Sequence, residues 1–567
     1  MNEIMRSFLC MRDGLRDDFA PGSFVPNTFG ASKFDGLAIK TRPVVALEKC
    51  ALIIIIVCAI FVSHSCVAEL RVGDPKQESI MSKEKLLGQI FTPEYLVADI
   101  LDIAGYVSGP DIVEKHVIDN SCGDGAFLVE VVKRYCEAAK NTNVNKLKTE
   151  LETYIHGIEI DAKSYRACLK RLDDLCSRYG LDGVRWDVRH ESALDERAFD
   201  GRMDFVVGNP PYVRVHNLED NFEKVKAYEF CKGGMTDLYL VFYEIGLKML
   251  AKGGRLCYIA PSSWLNSVAG AGMRRHIMAK RDLRRLVDLG HFQPFNATAY
   301  TAIALFENNV SSDSFEYWTY CGKSALRKEA LLTFEEVNID DVFYLSDNKT
   351  LAEFSKMRHT VVKDYVSVKN GFATLADDVF IADEFAFTNC VIPVLKASTG
   401  KWKQAIYPYN SLGKPLRRAE IFKSKALSGY LQDKKPELLK GRTEQEFPEW
   451  YLYGRSQALK DVWSDKLAIN TVVKDRGSIK LNRVKKGAGV YGGLYILSNV
   501  PEVVIRELLF SDDFIDYLRV LKKYKSGGYY TFSSKDLCLY LNYKIEQISK
   551  SQEKEFPTIT LQRELSL

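Results

Sequence analysis

Two consecutive prolines at the end of an apolar run constrain this chain more than any other feature. The run Met203-Asp204-Phe205-Val206-Val207-Gly208 reads as a buried strand, and Asn209-Pro210-Pro211-Tyr212 follows it directly. The prolines fix two φ angles at about −65° and remove two backbone donors, so the turn is stiff and offers acceptors only. The Asn209 side-chain oxygen and the Pro210 carbonyl can converge on one planar NH2 group and accept both of its hydrogens. Drawing on those hydrogens takes the nitrogen lone pair out of conjugation and aims it at an electrophile. Tyr212 adds a flat face on which a planar ring can stack. Taken alone, the tetrapeptide reads equally well as an X-Pro-Pro loop at a strand end.

The upstream sequence bears on that choice. Val117-Ile118-Asp119-Asn120-Ser121-Cys122-Gly123-Asp124-Gly125-Ala126-Phe127-Leu128 reads as strand, glycine turn and helix start. Gly123 and Gly125 let the backbone approach a ligand at a helix N-terminus. A dinucleotide site is the competing reading, but Leu128 stands where its third glycine belongs. A second strand, Tyr154 to Asp161, carries Glu159 and Ile160 at its end, an acid placed for a ribose diol. It reads equally well as a helix cap. Glu191, in Arg189-His190-Glu191-Ser192, is a candidate partner for an adenine amino group, with Asp187 competing for that role. Cys122 reads as a small packing residue inside the turn.

In order and spacing, these segments resemble the S-adenosylmethionine-dependent amino-methyltransferases. Gly88-Gln89-Ile90-Phe91-Thr92-Pro93-Glu94-Tyr95 looks like the Phe-x-Thr-Pro lead of the gamma-class, TaqI-like DNA adenine-N6 methyltransferases of restriction–modification systems. Gly254 to Leu265 and Phe295 to Ile303 are similar to later elements of that family. Two positions depart from it: Asn120 stands where proline is usual, and Glu191 where aspartate is commoner.

The resemblance implies a doubly wound, mostly parallel α/β sheet over residues 81–310. The stretch 311–363 is more polar, opening on Ser311-Ser312-Asp313-Ser314, and reads as a connector, while the resemblance implies a mixed α+β target-recognition domain over 364–567. S-adenosylmethionine is then expected against Thr92, Pro93, Asp119, Ser121, Cys122, Gly123, Gly125, Glu159, Ile160 and Glu191. Asn209, Pro210, Pro211 and Tyr212 would hold an extruded adenine, with Phe295 as its second aromatic wall. No metal is implied. Three rivals share parts of this pattern: a protein glutamine-N5 methyltransferase, a cytosine-N4 DNA methyltransferase, and a non-catalytic DNA-binding restriction subunit.

Composition bounds the partners. The net charge over 567 residues is only +4, so any nucleic-acid surface must be local. Val473 to Lys486 carries six basic residues against one acid, and Lys522 to Thr531 mixes lysines with tyrosines around Gly527-Gly528. Lys474, Arg476, Lys480, Lys525 and Tyr529 are therefore the candidate contacts to double-stranded DNA. The 13 cysteines show no metal spacing and suit a reduced cytoplasmic protein. A monomer is expected, with cutting left to a separate cognate endonuclease.

Residues 1–80 do not fit the pattern. Their uncharged stretch of 18 residues before Glu69 is borderline for a membrane span. A membrane anchor makes little physical sense on such an enzyme, so the expectation is a natural start at Met81 and no membrane association.

Overall fold

The computed structural model describes residues 91–214, 222–234, 236–295, 299–322, 325–553 and 555–559. The expectations for residues 1–80, for a start at Met81 and for Gly88 to Ile90 lie outside them. A nine-stranded sheet organises the N-terminal half. Its strands are β1 Val117–Asp119, β2 Ile155–Ile158, β3 Asp187–Arg189, β4 Met203–Gly208, β5 Leu250–Pro261, β6 Leu283–Asp288, β7 Thr301–Glu307, β8 Ser314–Gly322 and β9 Ala325–Thr333, in the order β3-β2-β1-β4-β5-β7-β6-β8-β9. Strands β1 to β5 pair in parallel, and β7 inserts antiparallel between β5 and β6.

Both faces of the sheet are covered, which explains why residues 205–207 of β4 and 256–260 of β5 read as continuous apolar runs rather than alternating ones. Phe205, Val207, Cys257 and Ile259 point into one core with helices α1 Glu94–Ala104, α2 Ala126–Ala138 and α4 Ala162–Ser177 (α3 is Val144–Tyr154). Val206, Leu256 and Tyr258 point into the other, against helix α5 Leu238–Met249. Apolar on almost every side, α5 is buried nearly throughout, as such a helix must be.

One expected boundary moves. Gly253-Gly254 reads in sequence as the stop of this helix, yet the helix ends at Met249 and the pair lies within β5. Gly253 takes φ +75° and donates to the Asn308 carbonyl, and a Cβ on Gly254 would stand 2.5 Å from the Met203 carbonyl oxygen. The glycines serve a close strand approach rather than a helix cap.

The expected connector over 311–363 is not a connector. Its β8 and β9 extend the main sheet, β8 running parallel to β6. Its helix α6, Asn348–His359, packs Phe354 against Tyr517 of the C-terminal helices. The alternation of Phe315, Tyr317 and Leu332 with charged neighbours carried this strand signal, and the polar run Ser311 to Ser314 obscured it.

The C-terminal part is mixed α+β. Strands Val366–Asn370, Leu494–Ser498, Lys466–Ile469 and Leu481–Val484 form one sheet. Its inner residues, with Phe514, Leu518 and Leu541 of the last helices, join the same core as Leu332 and Phe334 of the catalytic half. A second lobe, built on strands Val391–Lys396 and Lys401–Ile406, has its own aromatic core around Phe380, Tyr409, Trp450 and Tyr453. Among the described residues, no helix is long and apolar enough to cross a membrane.

The two halves are pinned by a buried charge. Asp288, the last residue of β6, accepts from Lys522 Nζ at 2.9 Å, Tyr524 OH at 2.7 Å and the Gly290 amide at 2.8 Å. Lys522 also donates to Tyr317 OH at 2.7 Å. Burial by itself would raise the Asp288 carboxyl, but Lys522 and these hydrogen bonds hold it below the usual carboxylate range. Lys522→Met leaves that carboxylate buried and unpaired and should cost about 3–5 kcal/mol in urea unfolding. The wild-type contribution is complete above the unfolded carboxyl pKa of about 3.9 and is lost as pH falls through the lower folded value. The gap between variant and wild type should therefore narrow on acidification.

Candidate active site

Four parallel strands end at one cavity, each contributing a turn. The β1 turn brings Asp119, Ser121, Cys122 and Gly123, and the β2 end brings Glu159 and Ile160. After β3 comes Glu191, and after β4 come Asn209 and Pro211. Thr92 joins from the segment preceding α1. Ligands gather over the carboxyl ends of strands in sheets of this kind. Of the expected cofactor residues, Pro93 and Gly125 do not line the cavity. Pro93 is the N-cap of α1, and Gly125 is the N-cap of α2.

The two glycines of the turn do different work. Gly123 takes φ +57°, and a Cβ built on it meets no protein atom within 4 Å, so it borders open space. Gly125 takes φ +88°, and a Cβ there would stand 2.7 Å from Cys168 Sγ of α4. The first keeps a cradle open, whereas the second lets two helices approach. Cys122 is buried against this packing, as a small core thiol.

The acids are arranged on backbone donors. Asp119 accepts from the Ser121 amide at 3.0 Å. Glu159 accepts from the Gly123 amide at 2.8 Å and the Asp161 amide at 2.7 Å. Burial pushes the Asp119 carboxyl up to about 8, with the Ser121 amide opposing and Glu159 adding to the rise. Burial likewise raises Glu159, against the pull of the Asp161 and Gly123 amides. Of the two competing acids beyond β3, Glu191 lines the cavity. Asp187 is held instead by His156 Nδ1 at 2.7 Å and Arg189 Nε at 3.1 Å, which lowers it to about 2, the bond to His156 first among the causes.

These residues fit S-adenosylmethionine. The Gly123 cradle is open. Ser121 Oγ is buried at the cavity with no hydrogen-bond partner among the described residues. Glu159 is a carboxylate for a diol. Ile160 and Phe91 line the cavity while 54% and 60% exposed, apolar faces of the kind that enclose an adenine ring. Sequence reasoning missed Phe91 as a lining residue, although it sits in the quoted Phe-Thr-Pro segment. It also missed Phe242, whose place on α5 reads only as core.

The Asn-Pro-Pro-Tyr turn continues into a partition. Leu238 donates its amide to the Val213 carbonyl at 2.7 Å, and Arg214 bridges Asp237 antiparallel. Side chains of extended backbone alternate in direction. Val213 and Leu238 line the cofactor cavity, whereas Tyr212, Arg214, Asp237 and Tyr239 line a second cavity. Asn209 lines the cofactor cavity, its Nδ2 donating to Thr92 Oγ1 at 3.1 Å. Phe295 is buried and lines neither cavity; its ring meets Tyr212 edge-on, with centroids 6.5 Å apart and planes at 81°.

The tail candidates divide as well. Lys525 and Tyr529 lie on the hairpin Tyr524–Thr531, which pairs with Val472–Val473 and so comes beside exposed Lys474. Arg476 Nε is 3.3 Å from Asp512, and Lys480 Nζ donates to the Ser398 carbonyl at 3.1 Å.

Two outcomes test this site. Gly123→Val fills the cradle and strains a left-handed backbone position, so S-adenosylmethionine affinity by calorimetry should fall at least about tenfold, or 1.4 kcal/mol. Asp119→Asn removes a group whose folded pKa lies above its unfolded one. Wild-type stability should decline as pH rises from about 4 towards 8, and the variant should escape that decline in thermal melts.

Residues 85–295 match the Eco57I restriction-modification methylase family. The chain is 27% identical to the Type II methyltransferase M.BstVI of Geobacillus stearothermophilus, over 58% of this chain and 68% of that one. It is 29% identical to the Type II methyltransferase M.PaeR7I of Pseudomonas aeruginosa, over 38% and 40%. Against the Type II restriction enzyme and methyltransferase RM.Eco57I of Escherichia coli it is 23% identical, over 77% and 54%. The chain thus spans about two thirds of the first relative and about half of the others.

Proposed function

We propose that this chain is a site-specific DNA methyltransferase that places a methyl group on N6 of adenine in duplex DNA, as the modification component of a restriction–modification system. The observation that carries this reading is the partition: one turn presents Asn209 to a cavity that fits S-adenosylmethionine and Tyr212 to a second cavity.

S-adenosylmethionine supplies an activated methyl, so the protein's task is placement. Asn209 Nδ2 donates to Thr92, and the amide oxygen with the Pro210 carbonyl would be the pair that accepts the two amine hydrogens. With the cofactor bound, the Asn209 amide oxygen and the Pro210 carbonyl would orient the amine lone pair towards the activated methyl and pass the proton released on transfer to water.

A paired adenine cannot reach this point, so the nucleotide is extruded at a cost of a few kcal/mol. Stacking on Tyr212 offsets that cost by about 1–3 kcal/mol, and Phe295 supports the Tyr212 ring edge-on. Lys525 and Tyr529 lie in one small sheet with Lys474 beside it, and the three offer phosphate contacts. The protein acts in the cytoplasm as a monomer, beside a separate endonuclease.

Single-molecule sequencing of DNA from a methylation-free host expressing the chain should show N6-methyladenine at one short sequence. Asn209→Ala should keep cofactor and DNA affinity while single-turnover transfer falls by about 10²–10³, the loss of one preorganised acceptor. N4-methylcytosine in that DNA would move the assignment to cytosine, and an unmodified genome would defeat it.

A further inference from the structure

The second cavity is not built by the catalytic half alone. Tyr212, Asp237 and Ser263 line it from the catalytic side, and Lys522, Lys523 and Tyr524 line it from the C-terminal part. Between them stands Tyr300, half-buried, whose ring lies 5.0 Å from that of Tyr524 with planes at 35°. Phe295, five residues earlier in sequence, is turned away into the core. The tail residues have little freedom to leave, because Lys522 and Tyr524 are both bound to the buried Asp288 carboxylate. The hairpin that follows carries Lys525 and is hydrogen-bonded to the strand leading into Lys474.

We propose that the pocket for the extruded nucleotide is composite: Tyr300 is its second aromatic face, and the tail segment Lys522–Tyr524 completes its wall. This rests on the proposed function. The argument is one of placement. Of Phe295 and Tyr300, Tyr300 is the one that shares a cavity with Tyr212, and both Tyr212 and Tyr300 are partly exposed. A planar base suits such a pair. Arg214 gives the same cavity a cationic group for the sugar-phosphate that follows the base, whereas Lys523 lines it with its Nζ paired to Asp536 at 2.6 Å. Tyr524 lies against Tyr300 and is tied to Asp288, so the tail fixes the second face. The C-terminal part therefore acts in the extrusion step, in addition to any reading of sequence in the groove.

The test uses the full chain and a duplex carrying its own methylated sequence, as read from the expressing host. Tyr300→Ala, Tyr300→Phe and Tyr524→Ala are compared with wild type for cofactor affinity, DNA affinity and single-turnover rate. Each is measured with the target adenine either paired or opposite a mismatched base. Tyr300→Ala and Tyr524→Ala should slow transfer at saturating DNA by about tenfold or more, in keeping with one lost stacking surface. Cofactor affinity should stay at the wild-type value. The deficit should shrink on the mismatched target, where extrusion costs less, and Tyr300→Phe should transfer near the wild-type rate.

Wild-type transfer by Tyr300→Ala and Tyr524→Ala would overturn the inference, as would an equal deficit on both targets or a matching loss of cofactor affinity. A wild-type chain that methylates no adenine would overturn the function itself, and this inference with it.

Discussion

The structure depends on delivering a rigid turn to one point, and β4 does this by being held on both sides. Its parallel pairing with β1 and β5 fixes the height at which the chain leaves the sheet. The last strand residue, Gly208, passes so close to β1 that a Cβ would stand 2.7 Å from Asp119 Oδ1. That approach sets the Asn209 turn directly above the β1 carboxylate. Two prolines then keep the turn from relaxing, because a fixed φ removes the cheapest degree of freedom. Cofactor cavity, partition and second cavity all follow from where this turn emerges.

The electrostatics of the cofactor cavity are those of a site waiting for positive charge. Asp119 and Glu159 are buried near one another, and burial raises both carboxyls. Desolvation of this kind favours the neutral acid until a partner arrives. A sulfonium-bearing ligand with an amino group brings positive charge to the site and shifts that balance back towards the carboxylates. Backbone amides from Ser121, Gly123 and Asp161 already point at the acids, so their orientation is set before binding. Preorganisation here lowers the ordering cost that binding would otherwise meet.

Much of the catalytic half was legible in the sequence because its signals are local. A strand, a glycine turn and a helix follow one another within twelve residues from Val117, and the acid of β2 and the Asn-Pro-Pro turn each sit at a strand end. Each of these is fixed by a few neighbouring residues. What was not legible depends on distant partners. Gly253-Gly254 reads as a helix stop because nothing nearby reveals the Met203 carbonyl pressing on it. The strands β8 and β9 were hidden by polar flanks, since their reason for being strands is an open edge at β6. Phe295 and Tyr300 are five residues apart and cannot be told apart by type. Only the packing shows that one supports Tyr212 from the core and the other opens onto the cavity.

The same distinction applies to charge. Lys522 belongs to a basic, tyrosine-rich run that reads as a surface for phosphate, yet it is spent inside the protein on Asp288. Arg476 and Lys480 are drawn to Asp512 and the Ser398 carbonyl, while Lys474 and Lys525 stay exposed on or beside the small sheet. A basic cluster in sequence is thus divided by the fold into cations that hold the protein together and cations that remain for a partner. The buried pair does more than join two halves. A carboxylate and an ammonium removed from water hold their geometry because separating them is costly. The hairpin bearing Lys525 is therefore fixed relative to Tyr300 and, through the second cavity, to Tyr212. Contact with a nucleic-acid backbone and the chemistry on a base would then be set by one rigid frame rather than by two domains meeting on the substrate.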